Sequence, residues 1–169
     1  MARPQPRDFA PFYQNYINLV EADDLQEAFS KYNQIIKSFY NQLPEAKGNY
    51  AYADGKWTVK EVLQHIIDAE RVFAYRALCI ARKDKTAFPG FDENAYAVNS
   101  NANGRTLTDL QIEFSAVRHS TNLLFQSFFE EQLAELGTAS NNAVTVNAIG
   151  FIIIGHLLHH KNILEQRYL

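Results

Sequence analysis

Five histidines punctuate the sequence, at positions 65, 119, 156, 159 and 160, and imidazole is the side chain best suited to hold a transition-metal ion at neutral pH. His156 and His160 are four residues apart. On a helix that spacing stacks them on adjacent turns, with Cβ atoms about 5–6 Å apart and both rings able to reach one ion at about 2.0–2.1 Å. His159 turns toward the flank. A His156–His159 pair is also geometrically accessible, but only His160 continues the inward stripe Val146, Ile149, Ile153, His156, His160 and Ile163. On its own helix His65 lies within about 60° of Val62, Ala69 and Val72 and faces inward, whereas His119 lies about 200° from Val117 and faces solvent. A lone inward histidine is usually a hydrogen-bonded core residue. Two at i and i+4, joined by a third from another helix, ask for a shared partner, because separate buried imidazoles would each need an acceptor of their own.

Three imidazoles without a cysteine or carboxylate leave a coordination position open, the arrangement of catalytic rather than structural metal sites. Water or substrate is expected to fill it. Cys79 follows His65 by 14 residues, about 21 Å along a helix axis, so it is no fourth ligand. The zincin pattern requires Glu directly after the first histidine, where this chain has Leu157. A carboxylate-bridged di-iron bundle requires Glu three residues before a ligand histidine, and no histidine here has one. A mononuclear site remains. Glu61 and Asp68, one turn either side of His65, are the candidates for holding its free ring nitrogen, with a solvated helix face as the alternative. Arg76 is placed to bind a substrate carboxylate or to pair with an acid at the core edge. Asp92 and Tyr96, in the turn-rich stretch Pro89 to Tyr96, are candidates for a lid over the pocket. Trp57 reads as a packing anchor.

Four amphipathic helices are predicted to position these groups. Leu25, Phe29, Tyr32, Ile36, Phe39 and Leu43 line the first, with Asp23 or Asp24 as its cap and a shorter lead-in helix over Phe9 to Val20. Thr58 and Glu61 form a capping-box pattern ahead of the second stripe, Val59, Val62, Ile66, Ala69, Phe73, Ala77 and Ile80. A long connector then runs to about Arg105. Thr106 and Asp109 open the third helix, whose stripe extends from Leu107 to Phe128, and Thr145 caps the fourth. Gly137 and the polar run Thr138 to Asn142 separate these last two, with Glu131 to Leu136 as a short extra turn and no strand anywhere. The fold class is therefore all-α, a four-helix bundle with a long crossover between the second and third helices, a connector length that leaves the topology open and allows those two to be parallel neighbours as well as an antiparallel pair.

The 169 residues are read as one domain, 1–169, able to bury a core without disulfides. A net charge of −3 supplies no field for phosphates, which argues against nucleic acid and for a small-molecule substrate. The first residues lack an apolar signal region and the apolar stretch Ala148–Leu158 is too short to span a bilayer, so the expected location is the cytoplasm, away from membranes. One cysteine excludes an internal disulfide.

The run Lys56-Trp57-Thr58-Val59-Lys60-Glu61-Val62-Leu63-Gln64-His65, continuing through Asp68, Glu70 and Arg76, together with Gly155-His156-Leu157-Leu158-His159-His160, resembles the DinB-like superfamily, also called YfiT-like metal-dependent hydrolases. The resemblance covers nearly the whole chain. It implies a four-helix bundle, one zinc or nickel ion on His65, His156 and His160, and a homodimer. Relatives include bacillithiol S-transferases and a mycothiol-dependent isomerase, which implies a low-molecular-weight thiol as a further cofactor. A metal-dependent thiol S-transferase acting on small electrophiles is the first functional expectation. A hydrolase using metal-bound water, or a non-catalytic metal-binding stress-response module, is the alternative.

Overall fold

Capping residues set the long helices where the apolar periodicity begins. In the computed structural model, which describes residues 1–169, α1 (Gln14–Leu19) follows two single turns of 3-10 helix, and Arg3 closes its end by donating to the Ile17 and Val20 carbonyls. Asp24 accepts from the Glu27 amide and starts α2 (Leu25–Asn41). Thr58 and Glu61 form a reciprocal capping box at the head of α3 (Val59–Ala81). The crossover contains β1 (Ala87–Phe88) and α4 (Glu93–Asn99). Thr106 caps α5 (Leu107–Gln126), a single turn α6 (Glu130–Leu133) follows, then β2 (Leu136–Ala139), β3 (Asn142–Thr145), and α7 (Val146–Arg167) capped by Thr145.

The bundle runs around a square in the order α2, α5, α3, α7. Contacts at matched heights give the directions. Asn33 meets Arg118 and Asn41 meets Ser115, so α2 and α5 are antiparallel. Arg71 meets Glu113 and Glu70 meets Arg118, while Asn103 just before α5 meets Glu61, so α3 and α5 run parallel. Leu25 packs at Gly150 and Tyr40 donates to the Leu157 carbonyl, which makes α2 and α7 parallel. Trp57 meets Tyr168 and Phe73 meets His156, so α3 and α7 are antiparallel. The expected long crossover is thus present, and it returns the chain along the whole bundle.

Two sequence expectations need correction. Gly137 to Asn142 is not a plain break: β2 and β3 form a hairpin, joined by Ser140 and Asn141 at φ of 51° and 62°. Those two left-handed residues are the signature of a type I′ turn. β1 pairs in parallel with β2, which ties the crossover to the hairpin at the end of α3. Strands this short carry too little alternation to stand out from polar loop. The crossover, read only as a long turn-rich connector, also holds a helix, α4, which Asp92 caps through the Asn94 and Ala95 amides.

α7 is buried on every side from Val146 to Leu158, because α1, α2, α3 and β3 all pack on it. A helix enclosed in this way is apolar all round rather than striped. α1 reaches it at Gly155, where an added Cβ would collide with the Tyr16 backbone carbonyl. Gly155→Ala must push α1 off α7, and overpacking of this kind costs about 1–3 kcal/mol; urea denaturation measures it, and an unchanged midpoint would show that α1 is not held against α7. No helix is long and apolar enough to cross a membrane.

Candidate metal centre

α3 and α7 pass each other antiparallel, and that crossing brings His65 onto the i, i+4 pair of α7. The Nε2 atoms of His65 and His156 lie 3.0 Å apart, and those of His160 and His156 lie 3.1 Å apart. All three ligand nitrogens fall within 4.8 Å of one another. At metal–nitrogen distances of about 2.0–2.1 Å, neighbouring ligands on one ion stand about 3.0–3.4 Å apart, so the spacing fits a single centre. One proton on His156 Nε2 satisfies at most one of its two neighbours, which leaves lone pairs facing each other unless a cation lies between them. His65 and His156 are buried and His160 is half-buried.

Burial also fixes the protonation state. Desolvation lowers the His65 pKa to about 4, despite the opposing field of Glu93. Desolvation, then the neighbouring imidazoles, hold His156 and His160 well below the usual histidine value. Neutral imidazole is the metal-binding form. The linkage has a definite sign. Between about pH 4 and 6.5 the unfolded chain binds more protons than the folded one, so the metal-free protein loses stability as pH falls through that window. From pH 7 to 5 His65 alone accounts for about 2 kcal/mol of that loss. Urea denaturation in chelator at the two pH values tests this, and equal stabilities would contradict it.

Aromatic rings wall the centre. Trp57 lies 4.9 Å from His65 between ring centroids, and Tyr16 from α1 lies 5.5 Å from His156 in an edge-on arrangement. Phe73 approaches His156 at 6.1 Å. His159 is half-buried on the flank, 5.2 Å from Tyr16 and 5.1 Å from His160. Tyr13 and Tyr16 were not singled out by periodicity; the Tyr- and Phe-rich lead-in was their only signal. Burial raises the pKa of both phenols, which keeps them protonated. Glu93, also unforeseen, projects a field onto Tyr13, Tyr16 and His65 from the start of α4.

The other candidates are placed as follows. Glu61 gives one carboxylate oxygen to the Thr58 amide and the other to the Asn103 side chain. Asp68 accepts from Gln64 and lies 3.8 Å from Arg71. Both therefore make their hydrogen bonds away from the imidazoles. Arg76 is buried, donates to the Pro89 carbonyl at 2.5 Å and lies close enough to Tyr13 for its charge to act on that phenol. It joins the crossover to the lead-in beside the site. Asp92 caps α4 and is exposed, and Tyr96 packs against Phe91 at 5.2 Å. Cys79 lies near the far end of α3, away from the imidazoles.

Comparison with known proteins agrees with this architecture. No curated protein matches the chain. Among solved structures, YfiT from Bacillus subtilis, described as a probable metal-dependent hydrolase with an unusual four-helix bundle topology, superposes with a TM-score of 0.66 at 16% identity, over 96% of this chain and 91% of its own. At that identity the likeness speaks to the fold. The sequence profile of the DinB superfamily matches residues 28–164, a span that takes in α3 and α5 whole, most of α2 and α7, and all three inward histidines. The chain belongs to the DinB superfamily.

Proposed function

We propose that this chain holds one divalent ion, zinc or nickel, on His65, His156 and His160, and transfers a low-molecular-weight thiol to a small electrophile. The observation that carries the reading is the convergence of three neutral imidazole nitrogens with no carboxylate or cysteine among them. Such a centre, when loaded, supplies a Lewis acid that lowers the pKa of a coordinating thiol or water. A thiol so activated is already a good nucleophile and needs no adjacent general base. Hydrolysis needs one more strongly, and Leu157 occupies the place where zincins carry it.

The chain's own part is to position reactants and exclude water. Trp57, Tyr16 and Phe73 offer an aromatic surface for an apolar electrophile. Tyr13 and Tyr16 retain their phenolic protons and can donate to an electronegative group. In the transfer the sulfur–carbon bond forms as the bond to the leaving group breaks. The leaving group takes that electron pair, and the thiol proton passes to solvent.

A second reading, metal-dependent hydrolysis, is favoured by one observation. Glu93 is an exposed carboxylate whose field reaches the site from α4, where it can serve as base. Two assays separate the readings. Consumption of an activated aryl halide that rises with added cysteine or glutathione and stops on chelation supports transfer. No thiol dependence removes it. Chelation-sensitive cleavage of a nitrophenyl ester, weakened in Glu93→Gln, supports hydrolysis instead. The homodimer belongs to the same proposal, and sedimentation equilibrium tests it.

A further inference from the structure

A sizeable cavity lies away from the histidines. It is about 730 Å³ in volume, opens between α2 and α5 with α6 at one end, and shares no lining residue with the histidine cluster. That volume falls among small-molecule pockets, about 300–1,000 Å³. At its floor is the guanidinium of Arg118, 3% exposed. One of its nitrogens donates to Glu70 at 2.8 Å, and another donates to the side-chain oxygens of Asn33 and Asn122 at 2.9 and 2.6 Å. The salt bridge with Glu70 offsets the charge of Arg118. What Arg118 contributes to the cavity is orientation.

A carboxamide whose oxygen is fixed on a guanidinium must turn its NH2 group the other way. Asn33 and Asn122 both line the cavity, both are half-buried, and neither NH2 group has a hydrogen-bond partner in the chain. Two donors are thus held on the cavity wall by a buried cation. Lys37 adds an ammonium to the same lining. The carboxylate of Glu130 also lines it, but that side chain is 84% exposed and faces the Met1 ammonium at 3.7 Å. The lining near Arg118 therefore offers donors and positive charge to a ligand that brings acceptors.

We infer that the cavity between α2 and α5 is a binding site for a small anion bearing acceptor oxygens, a carboxylate or a phosphate, held by the Asn33 and Asn122 amides and Lys37. It lies outside the metal centre and does not depend on the reaction proposed there.

Side-chain amide resonances of the intact protein, followed by NMR during titration with inorganic phosphate or malonate, test the inference. The Asn33 and Asn122 NH2 signals should shift and saturate. Saturation by phosphate alone assigns a phosphate ligand and by malonate alone a carboxylate; either supports the site. Asn33→Asp and Asn122→Asp keep the oxygen that Arg118 requires while replacing the donor with a repelling acceptor, so each should weaken binding about tenfold or more. Lys37→Gln, at an exposed position, should weaken it without disturbing the fold, which keeps the test valid if an Asp variant fails to fold. Amide signals unmoved by either anion overturn the proposal. So do signals that move only on dilution, which would assign this face to a second copy of the chain.

Discussion

A divalent ion held as proposed should stabilise the wild-type protein by about 4 kcal/mol at a free concentration near 1,000 times its Kd, a rise in Tm of about 8–16 °C for a chain of this size, and His156→Leu is expected to abolish that rise. His156 is the imidazole whose Nε2 faces both of the others, so its loss would leave the proposed centre with two rings and no third corner. Replacing even an outer-shell partner of a metal ligand typically costs 10–100-fold in affinity, and losing a ligand costs more. Leucine separates metal loss from unfolding. It is apolar and close in size, and it removes an imidazole whose nitrogen competes with two others for one proton. In chelator the variant should therefore lie within about 1.5 kcal/mol of wild type. Thermal melts with and without added zinc or nickel make the comparison. A metal-dependent rise of equal size in the variant would place the ion elsewhere.

The second large effect is expected far from the histidines. Arg118→Leu should cost about 3–5 kcal/mol, a fall in Tm of about 6–20 °C. Its partner Glu70 is 2% exposed, and the second carboxylate oxygen of Glu70 has no hydrogen-bond partner. That carboxylate depends on Arg118 for its counter-charge. Glu70→Leu combined with Arg118→Leu removes both charges, and replacing a whole buried pair by apolar side chains is often neutral. The double variant should recover most of the loss. Chemical denaturation of the single and double variants closes the cycle, and a single variant within about 1 kcal/mol of wild type would show that Glu70 is relieved by water or by another group.

The parts of this architecture that were legible in the sequence are those governed by local rules. Thr58, Thr106 and Thr145 mark helix starts because a hydroxyl before an apolar stripe satisfies a free amide, and each does so in the structure. The i, i+4 spacing of His156 and His160 depends only on helix pitch. His65 joins them because α3 and α7 cross antiparallel, a direction and a register that the inward stripes do not fix.

The parts that were not legible depend on tertiary contact. Arg118 and Glu70 are charged residues on helices, where solvent exposure is the ordinary outcome, and only the parallel packing of α3 on α5 buries them together. Tyr40, fully buried and bonded to the Leu157 carbonyl, stands one position off the stripe read for α2. Tyr16 reaches His156 because Gly155 admits the α1 backbone, a close approach between segments about 140 residues apart in sequence. Glu93 was hidden inside a connector whose helix is seven residues long.

All of the chemistry proposed rests on three rings sharing one cation. X-ray absorption of the zinc- or nickel-loaded protein, purified without a histidine tag, measures that sharing directly. The account predicts one ion per chain with about three imidazole nitrogens at roughly 2.0–2.1 Å, reduced to two in His156→Leu if any ion is retained. A first shell of oxygen alone, or one unchanged by His156→Leu, would contradict it.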